Sequence, residues 1–255
     1  MKIVAITQAR TGSSRLPNKV LKTIGEESLL EIQINRIKIS KKITDIIIAT
    51  TVKVEDEVIE KEAQRLGVAC FRGSEDDVLD RFYQAVKLSK PDYVVRLTSD
   101  CPLLDGHLID EVVELALIEN VDYCSNTLDE TFPDGQDIEV FTFEALEKAW
   151  LNAKLISERE HVTPFIKNNS TFHKEELFKA TNFYSEFAEY KDVRMTVDEP
   201  EDFVVISKMI EEFGKEESWN VYAKYYVENE SVGSLNSCIV RNEGYIKSIK
   251  EDLQK

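Results

Sequence analysis

Residues 3–19 read IVAITQARTGSSRLPNK. The first five, 3–7, are apolar or β-branched and have the length of a buried strand. A turn of small residues follows at once, Gly12, Ser13 and Ser14, and with it come Arg10, Arg15 and Lys19. A strand running into such a turn leaves backbone N–H groups pointing outward, which suits phosphate oxygens. The small side chains permit close approach, and three cations gather on one loop. The stretch from Gln8 and Ala9 to Lys19 is neither the G-x-x-x-x-G-K-[ST] of a P-loop nor the G-x-G-x-x-G of a dinucleotide fold.

Outward from this loop the chain alternates short apolar runs with amphipathic stretches. Helical spacing covers 29–39, 55–66 (stopped by Gly67), 77–88 and 108–117, and strand-like runs cover 46–50, 68–71 and 93–97. This βαβαβα rhythm predicts an α/β fold, a largely parallel sheet flanked by helices on both faces, with ligands bound outside the carboxyl ends of the strands. The second half is less regular. It reads as a strand at 138–141, helices at 143–152 and 158–168, a strand at 194–197 and a helix at 200–213. Beyond residue 216 the pattern weakens to an apolar face of Trp219, Tyr222, Tyr225 and Tyr226, and 242–255 reads as a charged arm. The expected organisation is a nucleotide-handling domain over 1–215 and a helical extension or arm over 216–255, packed on the same domain.

Composition narrows the function. The 255 residues carry 48 acidic and 32 basic side chains, a formal charge of −16. Such a field opposes binding along a nucleic-acid backbone, yet leaves room for one nucleotide held by a few cations and a metal. Cys70, Cys101, Cys124 and Cys238 form no C-x-x-C pair and match no zinc spacing, so reduced thiols and a cytoplasmic location are expected. No apolar run has the length of a membrane span or a signal peptide.

Two further motifs end on carboxylates. RLTSDCPLL, 96–104, delivers Thr98, Ser99 and Asp100 to a strand end, where an aspartate is a natural ligand for Mg²⁺, an ion that takes one or two carboxylates plus substrate phosphates. RMTVDEPEDF, 194–203, presents Asp198 in the same manner as a second candidate metal ligand, with Pro200 suited to the first turn of a helix.

The loop at 8–19 resembles the start of the cytidylyltransferases that make CMP-sugars. The resemblance is closest to the spore-coat polysaccharide (SpsF) branch, which is similar at RGSEDDVLDRF (72–82), LTSDCPL (97–103), PDGQDIEVF (133–141), EREHVTPF (158–165), TVDEPEDF (196–203) and NEGY (242–245). These motifs run in family order over almost the whole chain. The resemblance implies a Rossmann-like nucleotide-diphospho-sugar transferase fold that uses CTP and Mg²⁺ to activate a sugar or sugar-like acceptor and releases pyrophosphate. It further implies that the loop from Gln8 to Lys19, with Arg81, Thr98 and Asp100, binds the nucleotide, and that Arg15, Lys19 and Asp100 are catalytic. Asp100 and Asp198 would hold the metal, and Gln136, Asp137, Glu139, Arg159, Glu160 and His161 would line the acceptor side. A homodimer is also in keeping with the family. Three other readings stay open on the sequence: the same fold with another NTP (guanylyl- or uridylyltransfer), a glycosyltransferase consuming an NDP-sugar, and a nucleotide-binding module without turnover.

Overall fold

The computed structural model describes residues 1–254. The opening stretch forms β1, Ile3–Gln8. A hairpin of β2 (Thr23–Ile24) and β3 (Glu27–Ser28) turns through Gly25, whose φ of 66° is the left-handed conformation that glycine adopts without strain. Ser28 then caps α1, Leu29–Ile37, by accepting from the Glu31 N–H at 3.0 Å. β4 (Asp45–Thr51) leads to α2 (Glu57–Leu66), which stops at Gly67 in the left-handed region. β5 (Ala69–Gly73), α3 (Val78–Val86, capped by Asp77), β6 (Tyr93–Thr98) and α4 (Gly106–Glu119, capped by Asp105) complete the first half.

The second half adds β7 (Tyr123–Ser125), β8 (Glu139–Thr142), α5 (Phe143–Asn152), α6 (Ile156–His161), α7 (Pro164–Asn168) and β9 (Ala180–Asn182). Four helices finish the chain: α8 (Pro200–Phe213), α9 (Trp219–Glu228), α10 (Glu230–Gly233) and α11 (Glu243–Asp252). The main sheet has seven strands in the order β5-β4-β1-β6-β8-β7-β9. The ladders joining β5, β4, β1 and β6 are parallel, as is β7 with β9, and β8 runs antiparallel to both neighbours. Successive residues of β1 point to opposite faces. Ile3 and Ala5 enter one core with Leu30, Ile34, Val112 and Ile206, and Val4 and Ile6 enter another with Leu79, Phe82, Phe141 and Leu146. The sheet is therefore covered on both sides, as the βα rhythm requires. Each such Val, Leu, Ile or Phe side chain removed from water contributes roughly 1.5–3 kcal/mol.

Several expectations needed correction. The helix read at 158–168 is two helices, because Val162 sits at φ 71° and Pro164 has no N–H to carry the hydrogen-bond ladder across the break. Residues 194–197 are not a strand of the sheet. They cross two loops instead: Met195 N–H donates to the Asp134 carbonyl (2.7 Å) and Val197 N–H to the Asp100 carbonyl (2.8 Å), with one isolated bridge between Asp134 and Arg194. The strand read from 68 starts at Ala69, since the Val68 N–H turns back to the Ala63 carbonyl (3.0 Å) and closes α2. The charged arm contains a helix, α11. Trp219, Tyr222, Ala223, Tyr226 and Val232 belong to the same core as β1 and α1.

Candidate active site

β1 delivers the basic loop to the carboxyl edge of the sheet, and the loop is pinned at Thr11. The Thr11 N–H and hydroxyl both donate to Asp56 Oδ1 at 2.7 Å, and the Thr11 carbonyl accepts from Ser13 N–H (2.9 Å) and Asn18 N–H (3.0 Å). Upstream, Ala9 N–H donates to the Ala49 carbonyl at 3.1 Å. Arg15 and Lys19 thus leave a loop tied at its base, while Gly12 has open space where a side chain would stand.

β6 delivers the acidic partner. Buried Gln33 clamps the two strand ends together: it accepts from the Thr7 hydroxyl (2.9 Å) and donates to the carbonyls of Thr98 (2.5 Å) and Cys101 (3.2 Å). Asp198 reaches the same place because the 194–198 segment is bonded across Asp100. Lys19 Nζ then lies 3.2 Å from Asp100 Oδ2 and 2.7 Å from Asp198 Oδ1. Arg15 lies 3.2 Å from Asp198, 3.4 Å from Glu199 and 3.0 Å from Glu243. Burial opposes charge on Lys19, but the two aspartates outweigh it and raise its pKa. Burial also opposes charge on Asp100, and Lys19 with the Thr98 hydroxyl holds it well below the usual carboxylate range.

Behind Asp198 stands Arg194, whose guanidinium meets Asp202 (2.9 Å from both Nε and Nη2), Asp134 (2.7 Å) and Asp198 (3.4 Å). Asp202 in turn accepts from the backbone N–H groups of Asp198 and Glu199, each at 2.9 Å. Asn236 donates to Asp202 (2.9 Å) and accepts from the Tyr226 hydroxyl (2.8 Å).

The remaining candidates divide. Arg10 faces Glu75 at 3.3 Å. Arg81 is buried and donates to the Ser74 carbonyl (3.0 Å), its Nε has no hydrogen-bond partner, and burial with Arg10 nearby pushes its pKa down to about 10. The Gln8 side-chain oxygen is likewise buried and unpartnered. Asp137 receives Arg241 at 2.7 Å. Glu139 is saturated by Arg96, the Tyr123 hydroxyl (2.6 Å) and the Thr163 hydroxyl, which keep it ionised despite burial. His161 and Glu160 share the Ser248 hydroxyl (3.0 and 2.7 Å), and Tyr245 packs edge-on against the imidazole, so α11 covers them. Burial and nearby Arg96 lower the His161 pKa.

Two expectations for the acceptor side do not fit the geometry. Gln136 is fully buried, its amide committed to Leu103 carbonyl (2.9 Å) and Asp105 N–H (3.0 Å), so it shapes the 103–105 turn. Arg159 forks onto Asp77 (3.0 Å) and the Trp150 carbonyl (2.8 Å), so it fastens α6 to the start of α3. Conversely, the structure shows Gln33, Asp56, Arg96, Arg194 and Arg241 at work around the site. Arg96 and Arg194 open motifs legible in the sequence and Arg241 stands just before a third, whereas Gln33 and Asp56 belong to none.

The profile of the cytidylyltransferase family matches residues 4–238. The chain belongs to that family. It is 49% identical to an uncharacterized protein of Methanocaldococcus jannaschii, over 84% of this chain and 85% of that one. It is 30% identical to the spore coat polysaccharide biosynthesis protein SpsF of Bacillus subtilis, over 84% and 88%. Among solved structures, a cytidylyltransferase from Leptospira borgpetersenii superposes with a TM-score of 0.84 at 35% identity, over 91% of this chain and 96% of its own. A CMP:2-keto-3-deoxy-manno-octonic acid synthetase, solved with CTP, shares the fold at a TM-score of 0.62 and 13% identity, over 83% and 99%. This cytidylyltransferase-family chain is thus a nucleotidyltransferase with the fold its sequence resembles.

The family's chemistry raises the question of a divalent metal, and the donors present fit one. Asp100 and Asp198 are hard oxygen donors converging on one point. Among the described residues no group of three or more His, Cys, Asp or Glu side chains is assembled to hold an ion. Two carboxylates, with the other positions left to phosphate oxygens and water, are a donor set that Mg²⁺ accepts. No helix among the described residues is long and apolar enough to cross a membrane.

Proposed function

We propose that this nucleotidyltransferase uses CTP and Mg²⁺ to place a CMP group on a sugar or sugar-like acceptor, for surface polysaccharide or glycan synthesis. The observation that carries this reading is the contact of Lys19, from the loop after β1, with Asp100 and Asp198, from segments far apart in the sequence. Phosphate-binding cations and candidate metal carboxylates therefore share one spot at the carboxyl edge of the sheet. The name of the SpsF relative supports the pathway class, and the CTP complex of the fold relative supports the base.

In the reaction an acceptor oxygen, its proton passing to water where it is a hydroxyl, forms a bond to the α-phosphorus, and the bond from that phosphorus to the bridging oxygen of the β-phosphate breaks. Pyrophosphate leaves with the bonding pair. Arg15 and Lys19 bind the β- and γ-phosphates and neutralise the charge growing on the leaving group. Asp100 and Asp198 would hold Mg²⁺, which when bound withdraws charge from the phosphate oxygens. Asp137, Glu160 and His161 border the acceptor side beyond Asp100, and positioning there supplies the remaining rate.

The test is thermal unfolding with CTP, GTP, UTP and ATP, each with and without Mg²⁺, followed by pyrophosphate release over a panel of sugar acids and sugar phosphates. A ligand at about 100 times its Kd stabilises the folded chain by about 2.7 kcal/mol. A Mg²⁺-dependent shift with CTP is expected. A shift confined to another NTP corrects the base, and no shift with any NTP defeats the reading.

A further inference from the structure

Three cationic side chains stand on the two aspartates. Lys19 touches both, while Arg15 and Arg194 lie 3.2 and 3.4 Å from the second oxygen of Asp198. They are not equivalent. The Arg194 side chain is 5% exposed and is fixed by Asp202 and Asp134, so it has no freedom to leave. Arg15 stands on the loop with its side chain 33% exposed, Lys19 opens the single 3-10 turn that ends it with its side chain 13% exposed, and their ion pairs all go to carboxylates at the site. The two loop cations thus occupy the oxygens of Asp100 and Asp198 that a bare divalent cation would need, so such a cation has to displace them before it binds.

We infer that Arg15 and Lys19 guard the aspartates, so that a divalent cation enters only as its complex with a polyphosphate. The polyphosphate takes over the two loop cations, and the carboxylate oxygens they covered become ligands. Arg194 stays behind, fixed by Asp202 and Asp134, and keeps Asp198 oriented. The inference rests on the proposed triphosphate reading for the identity of the polyphosphate, and not for the guarding itself.

The test uses Mn²⁺ as probe and water-proton relaxation, which rises when Mn²⁺ is held on a macromolecule. The full chain with Mn²⁺ alone is expected to give no enhancement, and with Mn²⁺ and CTP a clear one. Lys19→Met is expected to bind Mn²⁺ without nucleotide at least about tenfold more tightly than the parent chain, a gain of about 1.4 kcal/mol. Adding Asp198→Asn to that variant should abolish the gain, which assigns it to this centre and not to the acidic surface. Arg15→Met provides the same reading, in smaller measure, should Lys19→Met unfold. Enhancement of the parent chain by Mn²⁺ alone, as strong as with CTP, overturns the inference. So does a folded Lys19→Met chain that stays silent with Mn²⁺. A gain in Lys19→Met without any response of the parent chain to NTPs upholds the guard and defeats the triphosphate reading instead.

Discussion

Asp56 shows how one buried carboxylate can set the basic loop that follows β1. It is 1% exposed and accepts from Thr51, the Thr11 hydroxyl and the Thr11 N–H. Burial by itself would raise its pKa, but these three hydrogen bonds, with Arg10 nearby, lower it. A depressed folded-state pKa means stability that is present above the unfolded value near 3.9 and lost as pH falls through the folded one. Asp56→Asn is therefore expected to cost about 1.5–3 kcal/mol at pH 7, the range for hydrogen bonds to a charged group. The gap from the parent chain should begin to narrow below about pH 4 and close as pH falls through the lower folded value, as measured by urea unfolding across pH. A gap independent of pH would show that the charge contributes nothing. At Gly135 the constraint is steric: φ is 107°, and a Cβ would stand 2.6 Å from the Met195 carbonyl carbon. Gly135→Ala should unfold the 133–137 loop from the 194–197 segment and lower the midpoint in calorimetry by several degrees. An unchanged midpoint would mean the two loops part without cost. Asp100→Asn should lower turnover at least about tenfold in the pyrophosphate assay, since about 1.4 kcal/mol of lost stabilisation suffices.

At the scale of elements, α8 is held at its start by a buried charge network and not only by its apolar face. Asp202 is fully buried, pairs with Arg194, and caps the helix through the Asp198 and Glu199 N–H groups. Removing one partner of a buried pair strands the other, at a cost of about 3–5 kcal/mol. Asp202→Ala should show that loss in urea unfolding, and a cost below about 1 kcal/mol would mean water reaches Arg194. The sequence makes the start of α8 legible through Pro200 and its acidic first turn, yet it disguises Asp202 as one more surface charge. The same limit explains the other misreadings. β1, β4 and β6 were legible because burial on both faces leaves nearly continuous apolar runs. β7, β9 and the β2–β3 hairpin are two or three residues long, too short for any period to show. Lys19, Arg15 and Asp100 stand out because loops at strand ends concentrate charge, and Asp198 stands out just before Pro200 although the segment leading to it is no strand of the sheet. Gln33 was not, because a glutamine inside an amphipathic helix carries no mark that its amide spans two strand ends.

Across the whole molecule, the C-terminal arm is the segment whose contribution to folding and to the site differ most. α11 adds no residue to either apolar core, and Ile246 and Ile249 remain 42% and 39% exposed. Tyr245 packs edge-on against His161, and the polar contacts of residues 241–252 include Arg241 on Asp137, Glu243 on Arg15, Ser248 on Glu160, and Asp252 on the Ile156 N–H that opens α6 (2.7 Å). Surface ion pairs contribute about 0–1 kcal/mol each, and hydrogen bonds to a charged group about 1.5–3. With no core residue lost, a chain ending at residue 240 should keep its cooperative transition. Its midpoint should fall by about 2–4 °C for each kcal/mol lost. The site should respond more than the fold. With Glu243 gone, Arg15 has one carboxylate fewer to leave when a triphosphate arrives, so the stabilisation by CTP and Mg²⁺ should be preserved or larger. Asp137, Glu160 and His161 lose their cover at the same time, so transfer to an acceptor should fall while nucleotide binding persists. Calorimetry of the shortened chain with and without CTP and Mg²⁺ separates these terms. Loss of the cooperative transition would show that the arm is part of the folding unit, and loss of the CTP response alone would place the arm on the nucleotide rather than over the acceptor.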